Sequence, residues 1–227
     1  MCDQWTEISS INGPEARSFH SAVWTGFEMV IWGGGTGFNG QIETNTGAMY
    51  DPSLDSWTTT TTDNAPSSRA GHTSLWTGAE MIVWGGGFNT GGKYTPEFDT
   101  WVPTTIDGAP AQRSDNTGIW TGLEMIIWGG YDNTGGRYNP FDDSWVATSQ
   151  VDSPTGRGNH SALWTGSHML IWGGRTGSTE LASGGLYNTQ PDSWSEISSV
   201  NEPSPRWRQT AVWTGNEMIV WGGKEDY

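Results

Sequence analysis

Five arginines recur in register along the chain, and their side chains are the first candidates for chemistry. They make up half of the ten basic residues in a chain of net charge -15, and they stand at Arg17, Arg69, Arg113, Arg157 and Arg206. Because guanidinium groups bind carboxylate, phosphate or sulfate oxygens bidentately, such a column predicts an anion-binding collar. The alternative interpretation is structural, with each arginine paired to a carboxylate or to loop carbonyls of a neighbouring repeat.

A polar column follows three residues after each arginine. It consists of His20, His72, Asn116, His160 and Gln209, and a serine or threonine comes directly after each of them. Three equivalent histidines converging on one axis would suit a metal ion, but the asparagine and the glutamine interrupt such a set. We therefore expect the polar column to line a ligand-binding mouth together with the arginines, with no metal or other cofactor.

The fifth arginine is followed by a pair with no counterpart in the other repeats, Trp207 and Arg208. An exposed indole beside two guanidinium groups would combine stacking with anion recognition, so both residues are predicted to belong to the ligand site. The long loops over 37–45 and 175–183 are further departures from the repeat. No unique Ser/His/Asp or paired-carboxylate set stands out, and no catalytic residue is predicted.

Three tryptophan positions, each present in five copies, define the elements that must hold these residues. The Trp-Thr-Gly block starts at Trp24, Trp76, Trp120, Trp164 and Trp213, and the Trp-Gly-Gly block starts at Trp32, Trp84, Trp128, Trp172 and Trp221. The third position is occupied by Trp5, Trp57, Trp101, Trp145 and Trp194. Successive copies are separated by 52, 44, 44 and 49 residues, which indicates a repeat architecture.

Each copy is predicted to form four strands, A to D. Strand A ends at the first tryptophan, and a Thr-Gly turn leads to strand B, which ends at Trp-Gly-Gly. A loop of variable length precedes strand C, which is expected to begin near Tyr50, Tyr94, Tyr138 and Tyr187, and strand D begins near the third tryptophan. Apolar runs without clean alternation indicate sheets covered on both faces, so the repeated tryptophans and tyrosines are expected to fill the space between sheets.

An apolar run, a Gly-Gly pair, and a tyrosine and tryptophan separated by six residues resemble the kelch repeat. The run that starts at Met29, with Tyr50 and Trp57, carries this resemblance, as does the run that starts at Met81. The resemblance covers essentially the whole chain and implies an all-β fold, a β-propeller of about five four-stranded kelch-type blades with strand A innermost. Some kelch-like enzymes are copper oxidases built around a cysteine–tyrosine crosslink, but the single cysteine, Cys2, stands at the chain start and does not fit that chemistry.

One propeller domain is expected over residues 1–227, with repeats at approximately 17–61, 69–105, 113–149, 157–198 and 206–227. The segment from Trp5 parallels the one from Trp194 and is expected as the N-terminal strand D that completes the fifth blade with the C-terminal strands A and B, over 1–10. Tyr227 would replace the repeat tyrosine. Because kelch rings more often have six or seven blades, a fragment of a larger propeller or pairing with another copy stays open.

Charge and composition narrow the range of partners. A surface with 25 acidic and 10 basic residues disfavours nucleic acid and anionic membranes as partners. No signal peptide is recognisable, so a cytoplasmic protein and a secreted protein whose signal was removed both stay open. We expect a monomeric, non-catalytic binding scaffold that engages a protein or peptide, acidic groups or glycans included, at a loop face or channel mouth. The alternatives are a carbohydrate-binding propeller or, from the resemblance, a sugar-processing enzyme similar to kelch-type sialic acid mutarotases.

Overall fold

The computed structural model describes residues 4–130 and 132–224, and β-strands dominate it. Two single-turn 3-10 helices, Phe38–Gly40 and Pro96–Phe98, lie in loops. Within the described ranges, no helix has the length and apolar character needed to cross a bilayer. The chain forms two compact units, one made of Met1–Val83 with Gly92–Pro103 and the other of Trp84–Gly91 with Thr104–Tyr227.

The first unit holds one complete four-stranded antiparallel sheet and most of a second. The first sheet has the order β1-β2-β5-β6, and its strands are β1 Ser21–Trp24, β2 Met29–Trp32, β5 Gly47–Asp51 and β6 Ser56–Thr59. The loop between β2 and β5 contains a small hairpin of β3 Gly35–Thr36 and β4 Ile42–Glu43. The second sheet is built of β7 His72–Trp76, β8 Met81–Gly85, β9 Gly91–Thr95 and β10 Thr100–Pro103.

The second unit holds two further four-stranded sheets and a two-stranded one. The third sheet consists of β11 Asn116–Trp120, β12 Met125–Gly129, β13 Gly135–Asn139 and β14 Ser144–Ala147. The fourth consists of β15 Ser161–Trp164, β16 His168–Trp172, β19 Gly184–Thr189 and β20 Asp192–Glu196, with a hairpin of β17 Arg175–Thr176 and β18 Thr179–Glu180 in its loop. The last sheet pairs β21 Thr210–Trp213 with β22 Met218–Trp221.

These sheets confirm the predicted strands A, B and D of the first four repeats, and they correct the start of strand C. Each strand C begins at a glycine three residues before the repeat tyrosine, as Gly91 precedes Tyr94. The reason is strand pairing. Tyr94 lies opposite Trp101 in the hairpin of β9 and β10, and the paired residues continue towards the start of β9, where Gly92 lies opposite Pro103. Strands A of successive repeats are neighbours, β1 with β7 in the first unit and β11, β15 and β21 in the second.

A tyrosine, an aspartate and a tryptophan in each complete sheet hold the end of the preceding repeat. In the second sheet, Asp99 accepts hydrogen bonds from the Tyr94 hydroxyl at 2.7 Å and from the Thr61 N–H at 2.8 Å. The Trp101 indole N–H donates to the Thr61 carbonyl oxygen at 3.2 Å. We call this arrangement, in which an aspartate and a tryptophan bind the backbone of one residue, a clamp. It recurs in the other complete sheets, where Asp55 and Trp57 bind Ser9, Asp143 and Trp145 bind Thr105, and Asp192 and Trp194 bind Ser149.

The tryptophans of strands B and D form the core of the first four repeats, as predicted. Trp32 is fully buried, and its ring centroid lies 5.2 Å from that of Trp101 in the next sheet. Trp84 with Trp145 and Trp128 with Trp194 repeat the contact at 5.4 and 5.2 Å. The first tryptophan of each repeat is less buried than expected, since Trp24 keeps 54% of its surface exposed.

The segment predicted as an N-terminal strand D is not a strand. Residues 4–10 are irregular, and Trp5 is fully exposed. Ser9 has its N–H and carbonyl bound by Asp55 and Trp57, so it is held by a clamp instead of a strand ladder. The last sheet accordingly has two strands, its Trp221 is 83% exposed, and Tyr227 and Cys2 lie outside the described residues.

Candidate functional site

The five equivalent arginines bind the backbone of their own repeats. Each Nε donates to the carbonyl two residues earlier, as from Arg157 to Thr155 at 2.9 Å. Nη1 then reaches the carbonyl of the first glycine after strand B, at Gly33, Gly129, Gly173 and Gly222 from Arg17, Arg113, Arg157 and Arg206. In Arg17, Arg113, Arg157 and Arg206 the guanidinium therefore joins the segment before strand A to the end of strand B in the same repeat, whereas the structural interpretation placed its partner in a neighbouring repeat.

Burial separates the arginines into two groups. Arg69, Arg113 and Arg157 are 0%, 5% and 1% exposed, whereas Arg17 and Arg206 are only partly covered. Burial lowers the pKa of Arg69 and of Arg157 to about 10, so both stay charged at neutral pH. Arg113 also has an ion pair with Asp132 at 3.1 Å. The arginine column is thus mostly an internal support of the repeat, and anion capture by it stays a prediction.

The polar column runs along strands A and joins successive repeats. His72 Nε2 lies 2.7 Å from the Ser21 hydroxyl, and His160 Nε2 lies 2.7 Å from the Thr117 hydroxyl. Gln209 takes the equivalent position and donates from Nε2 to the Trp172 carbonyl at 3.0 Å. His20 is exposed, and Asn116 is half-buried at the start of β11.

The two buried histidines are held neutral. Burial, with the charge of Arg69 adding to it, lowers the pKa of His72 to about 4. Burial and the neighbouring Arg157 lower the pKa of His160 to about 3. Across residues 4–130 and 132–224, no three His, Cys, Asp or Glu side chains are grouped to hold a metal ion.

Trp207 is the centre of a cluster of positive charges in the second unit. The guanidinium carbons of Arg175 and Arg208 lie 4.1 and 4.7 Å from the centroid of its ring, and the Lys224 ammonium lies at 5.2 Å. The prediction of an exposed indole is wrong, because Trp207 is only 8% exposed beneath these three cations. The indole N–H and the Arg175 Nε–H are buried and have no hydrogen-bond acceptor among the described residues. We call these four residues the Trp207 cluster.

A further set of equivalent residues, which we call the left-handed column, stands two residues after each of the five arginines. All five members have left-handed φ angles between 55° and 61°: Phe19, Gly71, Asp115, Asn159 and Arg208. Their backbones are linked within each unit, from the Gly71 N–H to the Phe19 carbonyl at 3.0 Å and from the Arg208 N–H to the Asn159 carbonyl at 3.0 Å. Glycine, aspartate and asparagine tolerate this conformation, whereas phenylalanine and arginine adopt it at a cost.

The left-handed column, Arg175 and Lys224 were not identified from the sequence. Arg175 and Lys224 each come three residues after the last residue of strand B, where the repeat is variable, and nothing local connects them to Trp207. Their meeting depends on contacts between residues far apart in the sequence. Lys224 exchanges two backbone hydrogen bonds with Trp207 of its own repeat, and Arg175 reaches Trp207 from the preceding repeat. The signal that was available is the contrast between Phe19 or Arg208 and the turn-forming residues at the equivalent positions.

Comparison with known proteins adds no name to these observations. No protein-family model matches the chain, and no curated protein sequence matches it either. The described architecture is all-β, with several four-stranded antiparallel sheets that recur with the sequence repeat.

Proposed function

We propose that the chain is a kelch-type propeller of five blades in which the N-terminal segment completes the last blade. The repeated clamps and the adjacency of strands A support an arrangement of blades around an axis. In the second unit, a hollow of about 190 Å³ is lined by Trp172, Met218 and Val220 among others. At the equivalent place in the third and fourth sheets, Trp128 packs against Trp194.

Trp5 is the residue that matches Trp194 in the repeat, and its indole has no packing partner in the described structure at full exposure. Burial of a tryptophan in an apolar hollow contributes about 2–3 kcal/mol. A Trp5→Ala variant is therefore expected to unfold at a clearly lower temperature if the segment closes the ring. An unchanged thermal midpoint, as for a solvent-exposed side chain, would rule out this closure.

We propose further that the protein is a non-catalytic binding scaffold, and that the Trp207 cluster binds an acidic group of a protein or peptide. The observation that carries this proposal is the gathering of three cations on one indole in a chain of net charge -15. Three positive charges around one indole repel one another, and a bound carboxylate would relieve this repulsion while forming charge-assisted hydrogen bonds.

The overall negative charge does not prevent such binding. At physiological ionic strength the screening length is about 8 Å, so carboxylates farther from the cluster than this have little effect on it. Arg208 and Lys224 are exposed and accessible to a ligand. The Trp207 N–H and the Arg175 Nε–H are buried donors that a small displacement of the cations would offer to a carboxylate oxygen.

Fluorescence anisotropy with a labelled glutamate-rich peptide tests the binding proposal. We expect measurable affinity at about 0.15 M salt, where repulsion from distant carboxylates is screened, and weaker affinity at about 1 M, where the cluster itself is screened. Arg208→Ala and Lys224→Ala should each weaken binding by about fivefold to tenfold, since an exposed or half-exposed charge pair contributes about 1 kcal/mol. Arg137→Ala removes a cation that is paired with Glu124 elsewhere in the same unit, and it serves as the matched control.

Two results would contradict the binding proposal. The first is equal loss of affinity in the Arg137 control and in the cluster variants, which would indicate that the affinity depends on the overall charge of the protein and not on the cluster. The second is absence of peptide binding at about 0.15 M salt, where repulsion from carboxylates outside the cluster is screened. Both results are distinguishable from the Trp5 experiment, because that experiment measures a thermal midpoint and this one measures the affinity for a peptide.

A further inference from the structure

The longest loop of the chain encloses an open hollow in the first unit. It connects β2 to β5 and folds into the β3–β4 hairpin with the 3-10 turn Phe38–Gly40 at its tip. Together with the segment before β1, it surrounds a hollow of about 570 Å³. The lining includes Arg17, Ser18, Phe19 and Asn39. This volume is within the range of small-molecule binding sites.

Phe19 lines this hollow and has an exposed side chain in a costly backbone conformation. Its φ is 55°, in the left-handed region that a bulky side chain rarely adopts, and its surface is 64% exposed. Burial in a core therefore does not explain the choice of phenylalanine. The equivalent positions carry residues suited to this backbone, such as Gly71 and Asn159. Strained backbone of this kind, held in place by its surroundings, is typical of ligand sites.

The remaining lining consists of small residues, Ala16 and three glycines, and of the polar residues Arg17, Ser18 and Asn39. Gly40 cannot carry a side chain, because a Cβ atom would lie 2.2 Å from the Ser18 hydroxyl oxygen. That hydroxyl is buried and has no hydrogen-bond partner among the described residues. Asn39 contributes an amide, and Arg17 contributes one partly exposed guanidinium. One exposed aromatic face thus stands beside several neutral hydrogen-bonding groups and a single charge.

We propose that this hollow binds a neutral sugar residue. A pyranose ring has one face of C–H groups, which packs on an aromatic ring, and an edge of hydroxyls, which both donate and accept hydrogen bonds. Phe19 supplies the aromatic ring, while Asn39 and Arg17 supply polar partners. The proposal goes beyond acidic-group binding, because it concerns another unit and an uncharged ligand.

Titration of the whole chain with glucose, galactose, mannose and N-acetylglucosamine, followed by protein-observed NMR, tests this proposal. We expect at least one of them to bind with a dissociation constant of about 1–10 mM, as is usual for a small ligand with few contacts. Phe19→Gly should weaken binding at least about tenfold by removing the stacking face. The same substitution should raise the thermal midpoint, because glycine adopts a left-handed φ freely.

A control variant and a second binding variant complete the test. Phe27→Ala removes a phenylalanine that is 83% exposed on the β1–β2 turn, and it should leave sugar binding unchanged. Asn39→Gly keeps the left-handed backbone of this position, at φ 58°, and should weaken binding by removing the amide. Failure of all four sugars to bind at about 50 mM, or retention of affinity in Phe19→Gly, would overturn the proposal. Neither result would bear on peptide binding at the Trp207 cluster.

Discussion

Acidification between pH 7.5 and 5 is expected to destabilise the fold through two buried histidines. His72 and His160 have folded-state pKa values of about 4 and about 3, because burial disfavours their charged forms. The charges of Arg69 and Arg157 act in the same direction, and His20 adds to the effect on His72. In the unfolded chain both histidines regain a pKa near about 6.5.

The size of the effect follows from proton linkage. Since the folded pKa lies below the unfolded one, stability is complete above about pH 6.5 and is lost as the pH falls towards the folded value. At pH 5 the unfolded state gains about 2 kcal/mol per histidine from protonation, while the folded state gains almost nothing. The two histidines together remove about 4 kcal/mol, a large part of the about 5–15 kcal/mol typical of a domain.

Urea unfolding followed by tryptophan fluorescence at both pH values measures this loss. Replacing His72 and His160 by glutamine, the residue found at the equivalent Gln209, should remove most of the pH dependence in this window. His20→Gln, at the exposed member of the same column, controls for the substitution itself. An equal loss of stability in the wild type and in the double glutamine variant would refute the reasoning. The carboxylates Asp51 and Asp55 do not confuse the result, because hydrogen bonds lower their pKa values and their contribution is lost only at lower pH.

Two further substitutions test the contacts that hold the repeats together. Asp99→Ala leaves a tyrosine hydroxyl and a backbone N–H without their acceptor, so urea unfolding should show a free energy of unfolding lower by about 2–3 kcal/mol. Glu97→Ala, in the same turn, should change it little, and similar small losses in both variants would argue against the clamp. Gly33→Ala should cost about 3 kcal/mol or more, because its Cβ would lie 2.6 Å from His72 Cε1 at a φ of 68°. Gly26→Ala, at φ 106° with open space around it, should cost only about 1 kcal/mol, and equal thermal shifts for the two alanines would show that contact with the histidine is unimportant.

Local pattern was sufficient to predict the sheets. The Thr-Gly turn determines the hairpin of strands A and B. The seven-residue step from Tyr94 to Trp101 determines the hairpin of strands C and D, because these two residues pair across a short turn. The first residue of strand C was not predicted correctly, because a local pattern is recognised from its apolar side chains. The glycines that begin it, such as Gly91, carry no apolar side chain to mark a strand.

The candidate site was predicted only in part. The sequence correctly aligned the arginines and histidines as equivalent positions, but it gave no means to decide which atoms they bind. Arg157 is buried against the carbonyls of Gly173 and Ser183, and such long-range partners cannot be read from spacing. The unusual pair at Trp207 was identified, but its burial and two of its three cations were not.

The sequence by itself determined the repeat, its strands A, B and D and the tryptophans of the core, because hairpin geometry and periodic burial depend on residues close together in the chain. Tertiary structure alone decided that most of the arginine column supports the backbone, that His72 and His160 are neutral, and that Arg175, Arg208 and Lys224 gather on Trp207. It also decided that Phe19 and Arg208 occupy a strained column. These properties arise from burial and from contacts between residues far apart in sequence, where the spacing of residue types carries no information about distance.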